Sequence, residues 1–282
     1  MNLRVFNKLS KLASELRLAV LSSIYLAKTG HPGGSLSCID FLVYLYFNEL
    51  KISLDNLNDA SRDRFVLSKG HAAPALYAVL AEKGFFKKSD LNNLRSLGSF
   101  LQGHPNMKTT PGVEMSTGSL GQGISTACGM ALGLKIDKIN SRVFCLLGDG
   151  ELEEGQVWEA LMFAGHKKLD NLCFIVDNNG LQIDGTVEEV AGLFKIADKF
   201  SSFGVEVVVI NGHNFFEIEY AIERFKQVKD KPFAILMKTK KGCGVSFMEN
   251  KVEWHGKAPN NEQFRQAEFE LKLAISKFNE SE

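Results

Sequence analysis

The chain has 282 residues, 33 basic and 33 acidic side chains and a formal net charge of zero, with 45% hydrophobic and 23% charged residues. That balance is ordinary for a globular chain that buries a substantial core. It gives no general pull toward nucleic acid or anionic lipid, so neither is expected as a partner. The five cysteines, Cys38, Cys128, Cys145, Cys173 and Cys243, are scattered without a CxxC pair and read as free thiols in a reducing compartment. Arg4, Lys8, Lys11, Glu15 and Arg17 break the N-terminal apolar stretch, which excludes a signal peptide there. The uncharged run 115–134 is too rich in Gly, Ser, Thr and Gln to cross a membrane. A cytoplasmic location is the default.

Leu9, Leu12, Ala13, Leu16, Val20 and Ile24 recur at helical spacing and stop at Gly30, a C-terminal stop signal. Further helices are expected over 36–49, 72–83 and 89–97. The stretch 98–118, rich in Gly, Pro, Ser and Thr, is expected as a long loop, and loops of that length are usually functional or disordered. A small-residue helix over 121–134 then leads to the apolar run 143–147 and at once to Gly148-Asp149-Gly150. A helix over 153–168 leads to the run 172–176 and to Asp177-Asn178-Asn179-Gly180. A run over 205–210, a helix over 214–228 and a run over 233–238 follow. Phe264, Ala267, Leu271, Ile275 and Phe278 share one face of a C-terminal amphipathic helix. Short apolar strands alternating with helices predict the α/β class, a mostly parallel sheet with helices on both faces. No internal boundary is visible, so a single domain over 1–282 is expected, and ending on an amphipathic helix agrees with a complete polypeptide.

In open parallel sheets ligands bind beyond the carboxyl ends of the strands. Gly148-Asp149-Gly150 and Asp177-Asn178-Asn179-Gly180 each follow an apolar strand, so on neighbouring strands Asp149 and Asn179 would converge. One carboxylate and one amide oxygen suit a hard cation such as Mg²⁺ that also takes phosphate oxygens. Each motif alone has a structural reading. Asp149 can be a helix N-cap, with Glu151, Glu153 and Glu154 as first-turn acids. Asn178-Asn179-Gly180 can be a tight turn. Their combination favours a metal–diphosphate site.

Gly148-Asp149-Gly150, 27 further residues and Asn178-Asn179 resemble the thiamine diphosphate signature. Beside them stand Thr29-Gly30-His31-Pro32-Gly33, Leu67-Ser68-Lys69-Gly70-His71-Ala72-Ala73, Gly103-His104-Pro105, Ser116-Thr117-Gly118-Ser119-Leu120-Gly121-Gln122-Gly123 and Trp254-His255-Gly256-Lys257-Ala258-Pro259. This ordered set, from Thr29 to Pro259, resembles the diphosphate-binding half of transketolase. Transketolases move a two-carbon ketol unit from a ketose to an aldose, with thiamine diphosphate supplying the carbanion chemistry.

The resemblance implies a thiamine diphosphate-binding fold of the type that holds the diphosphate. It implies Mg²⁺ ligation by the side chains of Asp149 and Asn179 and the carbonyl of Leu181. Gly150 would lie beside the diphosphate, and Gly118 and Leu120 would line the cofactor. His31, His71, His104 and His255 would form the active site, His71 and His255 also reaching the diphosphate, and a near-neutral imidazole pKa suits proton transfer and sugar hydroxyls. Lys241 would neutralise phosphate. Lys69 has two readings, a phosphate ligand or a solvated surface lysine. Four spread histidines also raise Zn²⁺, which no close His/Cys spacing supports. His166, at a helix end, and His213, in a turn before the cap Asn214, read as structural. Glu154 and Glu159 are expected at a subunit interface, with an exposed helix face as the alternative.

Single-chain transketolases continue into a pyrimidine-binding domain that supplies a glutamate for cofactor activation and much of the substrate-phosphate pocket. This chain therefore resembles the N-terminal subunit of a two-subunit transketolase, active only with a separate C-terminal partner and expected as a heterotetramer. Gly33-Gly34-Ser35 and Glu151-Leu152-Glu153 depart from common single-chain forms. Sugar phosphates of the pentose phosphate pathway are the default substrates, with a specialised ketose phosphate or sulfonated sugar as alternatives, since the substrate contacts would lie largely on the partner. The competing functions are a component of a 2-oxo acid dehydrogenase or deoxyxylulose phosphate synthase type, a non-thiamine Mg²⁺ phosphohydrolase and a non-catalytic binding module.

Overall fold

The computed structural model describes residues 1–279. In chain order, α1 (Leu3–Ala27) precedes α2 (Pro32–Ser37), α3 (Ile39–Tyr44) and a π-helical turn over Leu45–Glu49. Strand β1 (Arg64–Leu67), α4 (Ala73–Glu82), α5 (Gln122–Ile136), β2 (Val143–Gly148), α6 (Gly155–His166) and β3 (Leu172–Asn178) follow. The remainder is α7 (Val187–Ala191), α8 (Ile196–Ser202), β4 (Glu206–Asn211), α9 (Phe215–Gln227), β5 (Phe233–Lys238) and α10 (Asn261–Asn279).

The five strands form one sheet in the order β1-β2-β3-β5-β4, every neighbouring pair parallel. Side chains alternate between two cores, as the twofold period of a strand requires. Phe144, Leu146, Cys173, Ile175, Phe233 and Ile235 enter the core that includes α1, α3, α4 and α9. Val143, Cys145, Leu147, Phe174, Val176 and Leu236 enter the core under α5, α6 and α8. This is the expected α/β sheet buried on both faces.

Two expectations change in detail. The helix expected over 36–49 starts four residues earlier, because Pro32 presets the first helical turn, and it breaks at Cys38 before α3. The helix expected over 89–97 is a 3₁₀ segment, Lys88–Asn93, after which Arg95 takes a φ of 59° and donates its amide to the Leu101 carbonyl at 2.8 Å. The run 98–118 is irregular, as expected, while α7 and α8 fill the stretch 187–202, for which sequence periodicity predicts nothing. Strand β1 likewise leaves no signal in the sequence. Four residues that begin on Arg64 and follow Arg62 and Asp63 are too short to show a period, and only pairing with β2 makes them a strand.

Helix α10 returns to pack on α1, burying Ala267 and Leu271 and stacking Phe264 on Tyr25 at 4.2 Å between ring centroids. Among the described residues, no helix is long and apolar enough to cross a membrane.

Candidate active site

Strands β2 and β3 end level, since Gly148 pairs with Asp177 in register. The first residues beyond them therefore meet. The Gly180 amide donates to Asp149 Oδ2 at 2.5 Å, and the Gly150 amide donates to Oδ1 at 2.9 Å. Asp149 is 3% exposed, and burial first, then the neighbouring Asp177 carboxylate, push its pKa up to about 6. The Asn179 side-chain oxygen accepts the Leu181 amide at 3.2 Å. The Leu181 carbonyl accepts from Lys241 Nζ at 3.0 Å.

One cleft over these strand ends is lined by His31, His71, His104, His255, Gly118, Leu120, Asp149, Gly150, Asn179, Leu181 and Lys241. Every residue assigned to the site by resemblance is thus brought to the same place. They arrive from the segment between α1 and α2, from the chain beyond β1, β2, β3 and β5, and from the long loop before α5. Oxygen donors and imidazoles in one cleft, joined by Lys241 Nζ, which lies 3.0 Å from the Leu181 carbonyl and 2.9 Å from His255 Nδ1, suit a hard cation with its anion beside a polyhydroxylated substrate.

The four rings gather around His31, whose centroid lies 5.5 Å from His71, 6.3 Å from His104 and 5.4 Å from His255. Gly118 is needed beneath them. Its φ is 143°, and a Cβ there would fall 2.9 Å from the His104 ring. An ordinary imidazole pKa, expected from sequence, does not survive this crowding. Burial first, then Arg95, His104 and Lys241, lower His31 to about 4, and burial with Lys241 lowers His255 to about 3. His71 and His104 are lowered as well, chiefly by burial. At neutral pH all four are uncharged, each ring offering one donor and one acceptor. Lys241 is itself lowered to about 8, burial outweighing the attraction of Asp149.

Lys69 is not the solvated surface lysine of one reading, and it lines the cleft, where the phosphate reading would put it. It is 1% exposed, pairs with Asp177 and donates to the Gly34 carbonyl at 2.8 Å. Asp177 is completed by Ser37 and Thr239, and these partners hold it charged despite burial. Glu151 is not a solvated first-turn acid. It is 2% exposed and accepts from the Gly148 amide at 3.1 Å, the Gly121 amide at 2.9 Å and the Ser68 hydroxyl at 2.5 Å. No spacing rule marks such a side chain, because its partners lie on three separate segments. Gln182 and Ile183 also line the cleft, and no sequence motif singles them out.

His166 lies exposed at the end of α6. His213 is fixed by Asp40 at 2.7 Å and by the Lys240 amide at 2.9 Å, and Asn214 caps α9, in agreement with the structural reading. Glu154 and Glu159 are exposed on this chain. Among the described residues, the Asp40, His213 and Cys243 side chains approach closely enough to share a metal, but Arg17 occupies both Asp40 oxygens at 3.0 and 2.5 Å. The four cleft histidines make no such cluster, which leaves the Zn²⁺ reading without support.

A parallel sheet with this constellation at its carboxyl edge defines a thiamine diphosphate-binding fold. Residues 9–279 match the family described as "Transketolase, thiamine diphosphate binding domain", and the chain belongs to that family. It is 45% identical over 259 residues to a 6-deoxy-6-sulfo-D-fructose transketolase subunit of Clostridium sp., covering 92% of this chain and 94% of that one. It is 41% identical to an apulose-4-phosphate transketolase subunit of Phocaeicola vulgatus, covering 93% and 92%. It is also similar to the crystal structure of transketolase from Campylobacter jejuni, with a TM-score of 0.89 and 34% identity, over 99% of this chain but only 46% of that one. The chain is a transketolase-family enzyme subunit.

Proposed function

We propose that this chain is the diphosphate-binding half of a two-subunit transketolase, moving a two-carbon ketol group from a ketose phosphate to an aldose phosphate with a pyrimidine-binding partner, as a heterotetramer in the cytoplasm. The observation that carries the reading is the convergence on one cleft of all eleven residues that the resemblance assigns to the site. Subunit relatives of matching length support a separate partner.

The donor set fits Mg²⁺. Asp149 is buried with only backbone donors as partners, so a cation there would return its pKa toward that of an ordinary carboxylate. Asn179 and the Leu181 carbonyl would complete an all-oxygen set of the kind Mg²⁺ takes alongside phosphate. The Leu181 carbonyl already faces the Lys241 ammonium, so a cation is accommodated beside it. Lys241, His71 and His255 would meet the diphosphate, and Gly150 would let the backbone approach it. Thiamine diphosphate, when bound, supplies the carbanion-stabilising chemistry. This chain's histidines would orient the sugar, and as neutral rings they can donate to one hydroxyl and accept from another. His104, exposed at the mouth, would meet the substrate rather than the metal.

The names of the two subunit relatives favour a specialised ketose, phosphorylated or sulfonated, over the pentose phosphate pathway sugars. Calorimetry with thiamine diphosphate and Mg²⁺, on the chain alone and with its C-terminal partner, tests the proposal. Weak binding alone that tightens with the partner, together with ketol transfer by the mixture and none by the chain, is expected. No thiamine diphosphate binding in either sample would sink the reading in favour of a Mg²⁺ phosphohydrolase.

A further inference from the structure

Arg95 does not line the cleft, yet it holds the two segments that carry His31 and His104. Its left-handed backbone and the hydrogen bond its amide donates to the Leu101 carbonyl close the loop from 95 to 101. From that corner the guanidinium reaches three groups. Nη1 donates to Thr29 Oγ1 at 3.0 Å, and Nη2 reaches the Gly103 carbonyl at 3.4 Å and His31 Nδ1 at 3.5 Å. Thr29 lies two residues before His31, and Gly103 one residue before His104. A Cβ at Gly103 would fall 3.0 Å from the guanidinium carbon, so the absent side chain lets that backbone lie against the cation. The Tyr77 hydroxyl holds the other side of the loop, reaching the Gln102 and His104 carbonyls at 2.9 and 3.1 Å.

We propose that Arg95 is a positioning residue, a clamp that fixes the separation and ring orientation of His31 and His104 across the mouth of the cleft. What the histidines do there rests on the transketolase reading; the clamp itself does not. A guanidinium has no acceptor, so His31 Nδ1 must be unprotonated toward it, which leaves Nε2 as the N–H donor of that ring. A planar fork with several donors suits this three-way contact, whereas a lysine would offer a single point of charge.

The clamp also acts through charge. The groups facing His31 are Arg95, Lys241, His71, His104 and His255, and those facing His104 are Arg95 and His31. Of these, Arg95 is the positive charge common to both rings. Removing it raises the pKa of each, because the cation disfavours a second positive charge nearby.

Ring-proton NMR titration of the chain alone tests this, with Arg95→Met, Arg95→Lys and Thr29→Val beside the wild type. Arg95→Met should raise the His31 midpoint by about one pH unit or more and move His104 the same way. Arg95→Lys should leave the midpoints closer to wild type but change the His31 Nδ1 nitrogen shift, because the fork is lost. Thr29→Val removes one anchor without touching charge, so it should disturb the His31 nitrogen shift even if Arg95→Met fails to fold. Unchanged His31 and His104 signals in a folded Arg95→Met chain would overturn the clamp, as would an unchanged His31 nitrogen shift in Thr29→Val. In the assembled enzyme, Arg95→Met should lower kcat by about tenfold or more with thiamine diphosphate affinity retained. The titrations need no cofactor or partner. Shifted histidines together with no ketol transfer by the chain assembled with its partner would therefore sink the transketolase reading and leave the clamp standing.

Discussion

The Gly180 amide, just past β3, donates to the Asp149 carboxylate, just past β2, at 2.5 Å. Strand register alone sets this contact, because Gly148 and Asp177 are paired and the two loops leave the sheet at the same height. The backbone thereby orients Asp149 without neutralising it. A buried carboxylate whose protein partners are neutral amides gains strongly from a cation placed against it.

Asp149→Asn separates orientation from charge. The amide oxygen can still accept a backbone N–H, so the fold should keep its melting temperature or gain slightly from losing a buried charge. Mg²⁺-dependent thiamine diphosphate affinity should fall on the order of 100-fold or more, since even outer-shell changes at metal sites cost about 10–100-fold. Calorimetry beside thermal unfolding reads both. Wild-type affinity in this variant would remove Asp149 from the metal site.

Lys69 and Asp177 are both buried, and their pairing raises the lysine pKa and lowers the aspartate pKa against the effect of burial. Breaking such a pair strands a charge, so Lys69→Met alone should destabilise the chain by about 3–5 kcal/mol. Lys69→Met combined with Asp177→Asn should recover much of that loss, because neither charge remains. Denaturant unfolding of the single and double variants measures the coupling. Additive losses would mean that the two charges are held independently.

How much of this site is legible in the sequence depends on the range of each contact. Asp149 and Asn179 are marked by strand-end motifs, and adjacent parallel strands bring such motifs together. The α/β class is equally legible, because β2, β3 and β5 are continuous apolar runs. Glu151, Lys69 and Arg95 carry no such mark. Lys69 finds its carboxylate 108 positions away, and the partners of Glu151 and Arg95 are spread over several segments. A charged residue with no charged partner nearby in sequence looks solvated until tertiary packing buries it. The helix expected over 89–97 fails for the same reason. Local periodicity favours it, but the anchoring of Arg95 to Thr29, His31 and Gly103 turns the chain instead.

Asp40 supplies a pH dependence remote from the proposed metal ligands. Burial alone would raise its pKa, but Arg17 and His213 lower it overall from the ordinary 3.8. A depressed carboxylate pKa stabilises the fold above the unfolded value, and that stability is lost as pH falls through the folded value. Asp40 therefore contributes fully above about pH 4 and progressively less below it. Urea unfolding at neutral and acidic pH should show a shallower acid loss for Asp40→Asn than for the wild type, from a lower neutral starting point. Parallel slopes would place the acid-sensitive group elsewhere.

His104 and Gly118 depend on each other, because one supplies a ring and the other the space beneath it. The loop bearing His104 is held by backbone carbonyls, through Tyr77 and Arg95, so removing the imidazole leaves those anchors in place. His104→Ala should therefore retain thiamine diphosphate affinity while lowering kcat of the assembled enzyme by about 10²-fold. Gly118→Ala should do more. Its Cβ would press on the His104 ring from a backbone conformation that favours glycine, in a segment that also lines the cleft. Both kcat and cofactor affinity should fall in that variant. Steady-state kinetics with titrated thiamine diphosphate separates the two effects. A loss of cofactor affinity in His104→Ala equal to that in Gly118→Ala would move His104 from the substrate side of the cleft to the cofactor side.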